Sequence, residues 1–119
     1  MTSTQPHFIQ GVHSFEGRGL ETPVAMPKNF TYVVPEKKRA QLTYFRAGNS
    51  ADELIYLVLT RNGTPLRYFP LGAKSDSHIP LAVLEELKPG TRLEALVGAG
   101  KGVSGTIVVD ICFLESEQA

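Results

Sequence analysis

The dipeptide Asn62-Gly63 stands between two apolar runs, Leu54-Ile-Tyr-Leu-Val-Leu-Thr-Arg61 and Thr64-Pro-Leu-Arg-Tyr-Phe69. A type I′ turn needs φ > 0 at both central residues, and Asn-Gly tolerates this best, so the segment reads as a β-hairpin. A two-residue turn sets Leu59 opposite Leu66 and Leu57 opposite Tyr68 on one face. Tyr56, Val58, Arg67 and Phe69 then share the other face. Both faces of the first strand are apolar, which predicts a central strand. Pro65 has no amide to donate, which puts the second strand at an edge.

The rest of the chain repeats this pattern of short apolar segments and turn residues. Residues 7–15 have β character interrupted by Gly11, and 30–34 form a short strand. Residues 39–45 form another, with Ala40, Leu42 and Tyr44 on one side. Residues 93–97 and 106–114 complete the set. One stretch, 80–87, has helical spacing: leucines fall at 81, 84 and 87, a proline sits in the first turn, and Lys88-Pro89-Gly90 stops it. Strands at this spacing predict an all-β, single-domain antiparallel β-sandwich over 7–115, with flexible ends at 1–6 and 116–119 and a barrel as the alternative closure. The general look is that of an immunoglobulin-like or related sandwich, a likeness of fold that carries no function.

Composition narrows the classes. At 119 residues with 42% apolar content, the chain suffices for one domain with a real core. Twelve basic residues balance twelve acidic ones. This removes the bulk electrostatic case for nucleic acid or an anionic membrane, and it leaves little repulsion between copies. The lone Cys112 cannot form an internal disulfide, and the first ten residues lack a basic segment followed by a long apolar run. A cytoplasmic setting is therefore expected, with the Asn29 and Asn62 sequons as chance matches.

No motif amounts to a catalytic signature. The stretch 98–105 contains Gly100-Lys-Gly102-Val-Ser-Gly105, a G-x-G-x-x-G match. That motif works by presenting a helix N-terminus to a pyrophosphate, and here a strand comes next. No nucleotide, flavin or other cofactor is expected, and what remains is a mobile hairpin loop. A backbone nest for a small anion, formed by Gly100 and Gly102 with Lys101 adding charge, is the binding reading of that loop. His7 and His13 share a strand face, but six residues at about 3.3 Å each hold them about 20 Å apart, so no shared metal is expected. Residues 74–78 place Asp76, Ser77 and His78 side by side, and neighbours on an extended segment point apart instead of converging as a triad must. Asp110 interrupts the apolar run 106–114 on the face of Val108 and Cys112, where a strand-borne arginine such as Arg92 would balance it. Residues 36–39 form a small basic turn, and Tyr32, Arg67 and Tyr68 are of the types enriched at interfaces.

Three readings are open at this point. The first is a non-catalytic protein-binding module, an accessory or regulatory subunit acting through itself or a larger partner, with Asp110, Tyr68 and Arg67 as interface residues. If 106–114 is an edge strand, it offers a surface for a homodimer. The second is a small-molecule or anion-binding module using 98–105 or a cleft near 74–78. The third is a hydrolase-like enzyme on His78 with Asp76 or Asp110.

Overall fold

A computed structural model describes residues 4–81 and 86–117. Among the described residues ten strands run in chain order: β1 (Thr4–Glu16), β2 (Gly19–Ala25), β3 (Thr31–Val33), β4 (Lys38–Asn49), β5 (Ile55–Arg61), β6 (Thr64–Leu71), β7 (Asp76–Pro80), β8 (Glu86–Leu87), β9 (Arg92–Ala99) and β10 (Ser104–Glu117). A 3-10 turn, Lys28–Phe30, precedes β3. The stretch expected to be helical is strand at both its described ends. Pro80 closes β7, and Leu87 pairs with Ala40. Residues 82–85 lie outside the described residues.

All pairings are antiparallel and fall into two sheets, so the chain is the sandwich expected. The first sheet has the order β1-β10-β4-β7, with β8 also on β4. The second has the order β2-β9-β5-β6, with β3 also on β9. Counting β2 with β3 and β7 with β8 as interrupted strands leaves eight positions, ordered 1-8-3-6 and 2-7-4-5. This is a jelly roll, not the immunoglobulin arrangement. Its logic is a nest of hairpins: position 4 pairs with 5, 3 with 6, 2 with 7 and 1 with 8. Asn62-Gly63 is the innermost turn of that nest.

The turn has the backbone its sequence requires, with φ of 50° at Asn62 and 86° at Gly63. Asn62 also ties the tip to the neighbouring strand. Its backbone amide donates to Arg92 O at 2.8 Å, and its Oδ1 accepts from Arg92 N at 2.9 Å. As expected, β5 is interior and β6 is an edge. The register differs. It slips by one residue at Leu66, so Leu59 faces Arg67 and Leu57 faces Phe69. The slip turns Phe69 and Leu71 into the core and leaves Tyr68 outside.

A second bulge lies in β4. Cys112 pairs with Tyr44, whereas Phe113 pairs with Leu42, so Thr43 is the extra residue; its hydroxyl donates to Cys112 O. Ala40 and Leu42 point inward before the bulge, and Phe45 and Ala47 after it. Tyr44, expected on the side of Ala40 and Leu42, therefore faces outward.

The core is filled from both sheets. Phe45 of β4 stacks on Phe69 of β6 with centroids 3.9 Å apart, directly across the sandwich. One polar pair is built into the interior. The Tyr32 hydroxyl donates to Glu115 Oε2 at 2.5 Å, and both residues are buried. His7 stacks on the Tyr32 ring at 4.0 Å. Burial first, and then the Glu115 carboxylate, hold the Tyr32 hydroxyl far above its ordinary range.

β10 is not an edge. It lies between β1 and β4, bonded to both over most of its length. A homodimer by strand addition to 106–114 is therefore ruled out, because both sides of its backbone are already paired.

Candidate functional site

The outer face of the first sheet is set by the parity of β10. Ile107, Val109, Ile111 and Phe113 face the core, which leaves Thr106, Val108, Asp110 and Cys112 outside. The register then lines up three rows across the sheet. Phe8, Cys112, Tyr44 and Pro80 form one. Gln10, Asp110, Arg46 and His78 form the next. Val12, Val108, Gly48 and Asp76 form the third.

Asp110 is the hub of the middle row. Gln10 Nε2 donates to its Oδ1 at 3.0 Å, and the Tyr44 hydroxyl donates to its Oδ2 at 3.3 Å. Arg46 Nη1 lies 3.5 Å from the same Oδ2. The balancing arginine is thus Arg46 and not Arg92. Arg92 belongs to the other sheet and lies 3.6 Å from Glu94. Arg46 is more than half exposed, so solvent screens this pair and the neutral donors do most of the holding. Burial, and then the Asp110 charge beside it, raise the Tyr44 hydroxyl above its ordinary range. The His78 ring stands edge-on to Tyr44, with centroids 5.8 Å apart.

The third row lacks a side chain at Gly48, and there the surface dips. A depression of about 640 Å³ is lined by Arg46, Asp76, Ser77, His78, Val108 and Asp110 among others. A second, of about 610 Å³, adjoins it at Gly48, Asp76 and Val108 and adds Ser50, Lys74 and Thr106. The two form one open trough. Three of the residues singled out from sequence, Asp76, His78 and Asp110, therefore converge. Gln10, Tyr44 and Arg46 complete the group and lie on strands far away in sequence.

The trough does not assemble a hydrolytic triad. Asp76 and His78 stand two residues apart on one face of β7, about 7 Å at strand rise. The ring contact of His78 is with Tyr44, and no serine hydroxyl among the described residues bonds to it. Among the described residues, no group of three histidine, cysteine, aspartate or glutamate side chains is placed to hold a metal.

The other candidates lie elsewhere. The 98–105 segment is not a hairpin loop, since it carries the chain from β9 in one sheet to β10 in the other. Two of its amides are spent within the fold. Val103 N donates to Gly100 O, Gly102 N donates to Gly17 O, and Gly17 N donates to Val103 O at 2.6 Å. A Cβ on Gly17 would collide with Gly100 O, so glycine is required there. The Gly102 and Val103 amides are thus taken by the fold and are not offered to an anion beside Lys101.

Tyr68 and Arg67 lie on β6, in the opposite sheet from Asp110, so the three do not form one interface. Arg67 pairs with core-facing Leu59, and Tyr68 with outward-facing Val58. The second sheet also keeps apolar side chains exposed, Tyr68 at 59%, Val33 at 50% and Leu20 at 46%, though part of its outer face is tied together. Tyr56 lies across Gly98, donates its hydroxyl to Leu20 O at 2.6 Å, and meets Tyr68 edge-on at 5.4 Å. What distinguishes the first sheet is the pairing: Val12 and Val108 sit directly opposite each other and are 68% and 50% exposed, with Phe8 two rows away on the same face at 42%.

No family model and no curated protein matches the sequence. The fold does have solved counterparts. A chain in the structure of infectious bursal disease virus Gx strain superposes on all of this chain with a TM-score of 0.62 at 12% identity. A chain from the Gt strain covers 97% of it with a TM-score of 0.55 at 11% identity. This chain spans only 34% and 32% of those two chains. At such identities the similarity is one of fold.

Proposed function

We propose that this chain is a non-catalytic binding module that works through protein contacts, with further copies of itself as the first partner. The outer face of the first sheet is its working surface. The observation that carries this reading is the pairing of exposed apolar side chains with a fixed polar row. Phe8, Val12 and Val108 stay exposed, while Gln10, Tyr44 and Arg46 hold Asp110 in place between them. An apolar patch with an ordered polar centre is what a protein contact buries. The zero net charge leaves little repulsion between copies. The infectious bursal disease virus chains supply an analogy of fold in the same direction, since a virus particle is an assembly of repeated protein contacts.

Light scattering over a micromolar concentration series tests the reading. Wild type is expected to associate, Val108→Arg to associate less, and Tyr68→Arg, on the other sheet, to match wild type. Equal loss in both variants, or association untouched by Val108→Arg, would rule this face out.

The convergence of Arg46, Asp76, His78 and Asp110 on the trough favours one other reading, a small polar ligand held near 74–78. Saturable binding of such a ligand, lost on His78→Ala, in a chain that stays monomeric would favour it.

A further inference from the structure

We infer that the free edge of β1 pairs with the same edge of a second copy, antiparallel, about a two-fold axis through Gln10. The inference rests on the proposed self-association of the chain, and it names how that association occurs.

The sheet edges are not equally protected. β6 carries Pro65, Pro70 and a bulge. β2 contains Glu21 and Pro23 and meets β9 only near its two ends. β3 has three residues, β8 two, and β7 five ending in Pro80. Prolines, charges, bulges and shortness are the devices that keep an edge from recruiting another strand. β1 lacks them over its middle. It runs thirteen residues, pairs with β10 without a register break, and has one proline and one carboxylate, Pro6 and Glu16, both near its ends.

The sequence of β1 is also complementary to itself. A two-fold axis at residue 10 pairs residue i with residue 20 − i. Phe8 then meets Val12 of the second copy, and Val12 meets its Phe8. Both lie on the outer face, and both are exposed in the single chain. Gln10 meets itself. Ile9 and Gly11, opposite each other across the axis, belong to the inner face, where the Phe30 ring occupies the space beside Gly11. A symmetric contact of this kind sets Phe8 against Val12 at two equivalent places and closes on two copies.

The register predicts a rescue. Phe8→Lys alone and Val12→Glu alone each set a charge against an apolar partner at two symmetric places. Each is expected to raise the dimer dissociation constant about tenfold or more. In the double variant the new lysine faces the new glutamate of the other copy, and association is expected to recover. Within one chain the two positions are about 13 Å apart along the strand, so recovery cannot come from an internal pair. Circular dichroism on each variant confirms the fold. Gln10→Cys gives a second measurement independent of those changes. Directly paired Cα atoms lie about 4.5–5.5 Å apart, within disulfide reach, so oxidation should yield a species of twice 13.0 kDa that Tyr68→Cys does not form. A double variant no better than the singles, or absence of the cross-link while wild type still associates, overturns the β1 edge and leaves association through another surface standing. A wild type monomeric throughout overturns both.

Discussion

Tyr32 and Glu115 show how a single pair of residues ties stability to pH. The buried carboxylate is met by a hydroxyl instead of a cation, at 2.5 Å. Tyr32→Phe would leave that carboxylate without its donor, and the expected destabilisation is about 1–3 kcal/mol by denaturant unfolding. The folded-state pKa of Tyr32 is raised above the ordinary 10.0, first by burial. A raised pKa contributes stability that is complete below the unfolded value and is lost above it, because the unfolded tyrosine releases its proton while the folded one keeps it. Stability should therefore fall as pH rises past about 10, with Tyr44 and Tyr56, also raised, adding to the loss. Tyr32→Phe should make that fall shallower, and an unchanged slope would count against the assignment. At this scale the sequence is partly legible. The outward direction of Asp110 can be read from the alternation of its own strand. Its partners cannot: Gln10 is 100 residues away along the chain and Tyr44 is 66, and only the pairing of β10 with β1 and β4 brings them and Arg46 to it.

The elements divide into those with local signals and those whose form is imposed by packing. Asn62-Gly63 carries its own geometry, and Gly63 at φ 86° has no atom within 4 Å of where a Cβ would stand. Any effect of substitution there is backbone strain alone. Gly63→Val is expected to destabilise by about 1 kcal/mol or more, read as a lower unfolding midpoint at unchanged slope. The bulges at Thr43 and Leu66 have no such signal. Each exists because the residues beyond it must turn back toward the core, and each reverses the facing of the residues after it: Tyr44 goes out, Phe69 goes in. The described ends of the 80–87 stretch, expected to be helical, are strand for a related reason. Leucines three apart fit a helix, yet Leu87 is claimed by pairing with Ala40.

At the scale of the whole molecule, a sandwich is legible from the number and spacing of the strands, but its strand order is not. Nesting β1 with β10 joins the two ends of the described chain, and nothing local in either strand specifies it. The same nesting takes β10 out of contention as an edge and makes it the floor of the outer face. If that face carries the contacts between copies, a two-dimensional NMR concentration series reads them residue by residue. Shifts that grow with concentration are expected at Phe8, Gln10, Val12, Val108 and Asp110, while Tyr68 on the second sheet and Lys101 on the β9–β10 connection stay fixed. Shifts centred on Tyr68 or Lys101, or no shift at any concentration, would contradict this assignment of the face.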